Sequence, residues 1–139
     1  MKKTSAFTLF LNWLKSTEMF TRPSRQVPGR WQLYEFYHEP EGQLIHVKEE
    51  ALKVDHVGWE IAISRDGQFT QESNVPVKIF NGIKNCKWSV SANYLKLFHP
   101  VNTGEYEEVQ FAVVKGNLRL LKKESNGAIR FFCFFRRVE

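Results

Sequence analysis

The sequence predicts an all-β protein, an eight-stranded antiparallel up-and-down barrel preceded by an N-terminal amphipathic helix. Three observations predict it. From Trp31 onward the apolar residues alternate instead of recurring at helical spacing. Turn dipeptides such as Asp66-Gly67 and Asn126-Gly127 separate successive alternating runs. Aromatic residues make up 14% of 139 residues, with 12 Phe and 4 Trp, and they favour strands. Tight turns force antiparallel neighbours, and an eight-strand meander loses both exposed edges by closing on itself. The length suits a single domain: a helix within 1–20 packing on a barrel domain at 27–139.

The helix comes first. Ser5 caps a segment in which Phe7, Phe10, Leu11 and Leu14 share one face at i, i+3, i+4, i+7 spacing. "MKKTSAFTLFLNWLKS" has the lysines and short apolar run of an export signal, but Asn12 interrupts it and no small-x-small cleavage site follows. "TRPSRQVPG" is then a polar connection with two prolines.

Strands are expected at 31–38, 57–64, 67–72, 85–91, 94–99, 105–115, 117–123 and 128–138. "VGWEIAIS" is the clearest: Val57, Trp59, Ile61 and Ile63 face one side, and Gly58, Glu60, Ala62 and Ser64 the other. Hairpins turn at Asp66-Gly67, Ala92-Asn93, Gly116-Asn117 and Asn126-Gly127. Alternation also nominates Trp88, Val90, Leu95, Leu97, Phe111, Val113, Leu118 and Leu120 as inward. In "AIRFFCFFRR" both faces are apolar, with Phe131, Cys133 and Phe135 on one and Phe132 and Phe134 on the other. The second face needs an outer cover, and the N-terminal helix is the natural one. Two connections, 39–56 and 72–85, are too long for hairpins. The first has helical composition, with Val47, Leu52 and Val54 as apolar points, and reads either as a plug in one barrel end or as a lid over a cavity.

Net charge is +5, but the basic residues are scattered and form no dense arm. Nucleic acid is therefore not the expected partner; stacking of single strands on an aromatic barrel is a minor option. Cys86 and Cys133 are the only cysteines and have no CxxC or metal-type spacing. Strands four and eight lie across the barrel from each other, too far apart for a disulfide, so both thiols should be free. His38, His46, His56 and His99 show no ligand spacing, so neither metal nor cofactor is expected. No run of eighteen apolar residues offers a transmembrane helix. Unpaired cysteines without a convincing signal make the cytoplasm the default location, with export as the alternative.

Four stretches carry a family resemblance: "GRWQL" (29–33), "WEIAISRDGQFT" (59–70), "CKWSVSANYLKLF" (86–98) and "VQFAVVKGNLRLL" (109–121). As a set, over about residues 27–138, they resemble the lipocalins (calycin superfamily), and more specifically small bacterial lipocalin-like domains. The resemblance implies a barrel whose floor is a Gly-x-Trp closed by an arginine of the last strand. Here those are Gly29, Trp31 and Arg136, with Arg137 as the alternative. One departure is Cys86-Lys87-Trp88, where the family often has a second Gly-x-Trp; the long 72–85 connection is another. Such relatives are frequently exported.

The function expected is non-enzymatic binding of a small hydrophobic or amphipathic molecule in the lumen. Trp59, Trp88, Phe111 and Phe131 would be its walls, and Tyr37 or Tyr94 its polar anchors. The same bulky side chains could instead fill the lumen, giving a structural or interaction module. The third class is an isomerase or cyclase using a lumenal acid or base. For it, Glu35, Glu60, Asp55, His38 and His56 are unpaired by any motif, and no catalytic residue is assigned.

Overall fold

The computed structural model describes residues 23–75, 83–102 and 104–138. The helix expected within 1–20 lies outside the described residues. The chain runs α1 (Pro23–Gln26), β1 (Gly29–His38), a 3₁₀ turn (Pro40–Gly42), β2 (Ile45–Val47), α2 (Glu49–Val54), β3 (Trp59–Ile63), β4 (Gln68–Ser73), β5 (Asn85–Ser91), β6 (Tyr94–Phe98), β7 (Tyr106–Val114), β8 (Asn117–Lys123) and β9 (Ile129–Val138).

One antiparallel ladder runs from β1 through β3 and the sequential strands to β9, which returns to β1, so eight strands close an up-and-down barrel. The short β2 lies outside this ring, pairing with the second half of β1 at Phe36↔Val47, Tyr37↔His46 and His38↔Ile45. β5 and β8 begin and end where sequence alternation places them, and the other strands differ by one or two residues. The β7–β8 turn falls on Lys115-Gly116, one residue before the expected pair. Both residues take positive φ, as a tight two-residue hairpin requires, and Asn117 already pairs with Val114.

The inward set matches alternation: Trp59, Ile61, Ile63, Leu95, Leu97, Phe111, Val113, Leu118, Leu120, Phe131, Cys133 and Phe135 form the core, with Trp88 and Val90 partly buried against it. β1 breaks its own alternation. Leu33 pairs with Phe135 and Glu35 with Phe134, so Tyr34 is an extra bulged residue. Trp31 and Leu33 therefore point inward, and so does Phe36, while Tyr37 points outward opposite Phe132. Outside the ring, Leu121, Ile129 and Phe132 form a second buried cluster with Tyr37, Leu44 and Phe134 against it. Arg119 lays its guanidinium over the Phe134 ring, 4.8 Å from the centroid.

The long first connection packs at one end of the barrel: Leu52 of α2 is buried in the core and Val47 and Val57 pack partly buried against it, while Val54 is exposed. The second connection is tied down where it re-enters the described chain: the Gln71 amide donates to the Ile83 carbonyl, and Gln71 N–H donates to Lys84 at 3.0 Å.

The floor lies at the other end. Trp31 pairs with Arg137, so the two side chains share a face, and the guanidinium sits 4.2 Å above the indole centroid. The closing arginine is thus Arg137, not Arg136. Arg136 pairs with Gln32 on the outer face, where it covers Tyr34 at 4.5 Å and bonds Glu49 at 3.1 Å. Arg137 also donates to the Pro28 and Gln26 carbonyls at 2.8 and 3.0 Å, and Trp31 Nε1 donates to Val27 at 2.9 Å. Gly29 has φ +144°, and a Cβ there would overlap Arg137 Nη1, so the Gly-x-Trp glycine is the gap through which the arginine reaches the indole.

Removing this clamp should cost more than removing its neighbour. Arg137→Ala is expected to lower the unfolding free energy by about 1–2 kcal/mol, from a lost cation–π contact and two charged hydrogen bonds near the surface. Arg136→Ala should cost less, and Gly29→Ala at least as much as Arg137→Ala. Urea unfolding of the three variants checks the order.

Candidate functional site

Lumenal residues come from every strand of the ring, and they meet in its centre. Trp59 of β3 is fully buried, edge-on to Phe131 at 5.6 Å and to Phe135 at 5.0 Å. Its indole N–H donates to Gln71 Oε1 at 2.7 Å. Gln71 is the one buried polar side chain among the described residues. Its amide is used at both ends, on Trp59 and on Ile83, which meets the requirement that a buried polar group be bonded. Phe111, Leu95, Leu97, Leu118 and Leu120 complete the layer at 0–3% exposed. A lumen wide enough for a ligand would leave such walls in contact with water-sized space, and these walls have almost none.

Trp88 differs. It is half-buried, on β5 toward the floor end of the barrel, and donates to the Ser64 carbonyl at 2.8 Å. Val90 beside it is also half-buried, and α1 lies next to β5 and β7 at this end.

The two tyrosines expected as polar anchors are not in the lumen. Tyr37 is turned outward by the Tyr34 bulge and stacks on His46 of β2 at 4.1 Å with the rings 6° from parallel. Burial and the nearby Glu35 carboxylate push its phenol up. Tyr94 is opposite in parity to the buried Leu95, so it lies on the outer face of β6 and is 38% exposed.

The outer face over β1, β2 and β9 carries a group of polar side chains with no sequence motif. His46 Nε2 and Glu35 Oε2 are 2.6 Å apart, though the residues are eleven positions apart in the chain. The pairing of β2 with β1 brings them together. They border a hollow of about 320 Å³ with Tyr34, Lys48, Glu49 and Arg136. Two of these contacts are paired, His46 with Glu35 and Arg136 with Glu49, and the pairing sets no nucleophile beside a base.

The remaining acid–base candidates do not converge. Glu60 meets Arg30 at 3.7 Å on the outer face. Asp55 and His56 are exposed beyond α2. His38 lies on the Phe36 side of β1, with ring centroids 5.3 Å apart, and burial holds its imidazole below the usual histidine range. Among the described residues no three His, Cys, Asp or Glu side chains are grouped to hold a metal ion. No described helix is long and apolar enough to cross a membrane. Cys86 and Cys133 are free and buried; burial pushes the Cys86 thiol up to about 11 and the Cys133 thiol well above its usual value.

These residues define a closed eight-stranded barrel whose interior is aromatic and almost wholly buried. No protein-family model matches the chain, and no curated protein matches it significantly.

Two measurements follow from the titrating groups. The folded state lowers the His38 pKa, so the unfolded chain binds that proton more readily. The stability this supplies is complete above about pH 6.5 and declines as pH falls below it. His38→Gln should flatten the decline between about pH 6.5 and 5, read by urea unfolding at stepped pH. Both thiols should resist a disulfide-exchange reagent at about pH 8 in the folded protein and react fully once it is unfolded.

Proposed function

We propose that this chain is a lipocalin-like barrel that has committed its interior to packing and acts, without catalysis, as an interaction module through its outer surface. The lipocalin-like assignment draws its support from the floor: Gly29, Trp31 and Arg137 occupy the roles that family gives to its Gly-x-Trp and closing arginine. The observation that carries the function is the burial of Trp59, Phe111 and Phe131. As walls of a binding cavity they would face open space; here all three are buried, and Trp59 meets Phe131 edge to face.

A small apolar ligand held in the lumen is the second reading, favoured by the half-buried Trp88 and Val90 at the floor end. A titration with an environment-sensitive apolar dye separates the two. The interaction module gives no saturable binding, and Trp59→Ala chiefly lowers stability, by about 3–5 kcal/mol. Stoichiometric dye binding that fatty acids displace, and that Trp88→Ala abolishes without unfolding the barrel, would overturn it in favour of lumenal carriage.

A further inference from the structure

We infer that the outer face of β5, β6 and β7 is a stacking platform for single-stranded nucleic acid, an inference that rests on the reading of the barrel as an interaction module. The register stacks three cross-strand rows on this face: Lys87–Phe98–Tyr106, Ser89–Lys96–Glu108 and Ser91–Tyr94–Gln110. Three aromatic rings are thus interleaved with two lysines on adjacent strands. Tyr106 is 47% exposed and Tyr94 38%, and Phe98 is half-buried beside Tyr106 with centroids 5.9 Å apart. Large aromatic rings left in water on a regular sheet are uncommon where a core is available, and the core of this barrel is complete without them.

The chemistry of the rows selects the occupant. Lys96 holds its ammonium 4.9 Å from the Tyr106 ring centre, so a cation and a π-face are presented together. A base offers a π-face to such a ring, and its phosphate offers the anion to the lysine next to it. Lys87 and Lys96 outnumber the outward Glu108 on this face, in a chain of net charge +5. A second copy of the chain would set these lysines against themselves. A lipid surface would bury Ser89, Ser91 and Gln110 without partners, whereas bases and sugars supply hydrogen-bonding groups to them. A sheet face bearing exposed aromatic rings is a known physical solution for splayed bases, and it needs no sequence readout.

The test uses the full chain and a fluorescently labelled oligothymidylate of about ten nucleotides, followed by anisotropy at low salt. Binding is expected to weaken with salt at a log–log slope of about −1.4, from the two phosphates that Lys87 and Lys96 can neutralise. Tyr106→Ala should lower affinity roughly tenfold. Lys96→Gln should reduce the slope by about 0.7. Both substitutions are on the surface, and an unchanged circular dichroism spectrum confirms that the barrel stands. Absence of binding at low salt would overturn the inference. So would binding that neither Tyr106→Ala nor Tyr94→Ala alters, or that vesicles rich in phosphatidylserine abolish by competition. The dye titration reads the lumen and the oligonucleotide reads this face. A negative oligonucleotide result with a dye-tight lumen removes the platform and leaves the interaction module standing.

Discussion

The fold rests on the seam between β1 and β9. An eight-strand meander has two open edges, each with a row of unpaired backbone groups, and only pairing of first with last removes both. Here that pairing runs from Arg30↔Val138 to Tyr37↔Phe132, the longest ladder in the ring. Its floor end is fixed by a single cation: Arg137 binds one indole and two carbonyls, so α1, the turn at Pro28, β1 and β9 meet on one guanidinium. The opposite case is the β4–β5 seam, where three residue pairs hold the strands and the Gln71 amide reinforces them. Closure is thus strong on one side of the barrel and light on the other.

Once the ring is closed, parity decides what each residue does. The inward residues are large, many of them aromatic, and nearly all are buried. The Trp59–Gln71–Ile83 chain of bonds ties the interior together and satisfies both ends of the Gln71 amide. Solvent-facing polar side chains lie outward, in the hollow bordered by His46, Glu35 and Arg136 and on the sheet faces.

Strand positions and the inward set are legible in the sequence because they depend on local alternation and turn residues, which the ring preserves. The choice between Arg136 and Arg137 was also legible. Phe131, Cys133 and Phe135 face inward, and the next residue of the same parity is Arg137. Tyr94 follows in the same way, since a residue next to the inward Leu95 must face out. Tyr37 is different: the bulge at Tyr34 inserts one residue into β1, and nothing in "WQLYEFYH" marks where alternation slips. The His46–Glu35 pair was likewise out of reach, because β2 is only three residues long and its position depends on a connection that carries no turn signature. Whether bulky inward residues line a space or fill it depends on the contacts between strands that are distant in sequence.

The clamp on Trp31 joins carbonyls and a guanidinium 109 and 111 residues apart in the chain. Such separation puts the decisive contact among the slowest to form, because the loop entropy of the whole meander is surrendered before the contact returns anything. As the chain is synthesised, β1 emerges early and waits for β9 with one edge uncovered along its length. In that interval the nascent sheet is a strand-pairing template open to any passing edge. The interval between synthesis of Gly29 and of Arg137 is therefore the interval in which that edge stays open to wrong pairing.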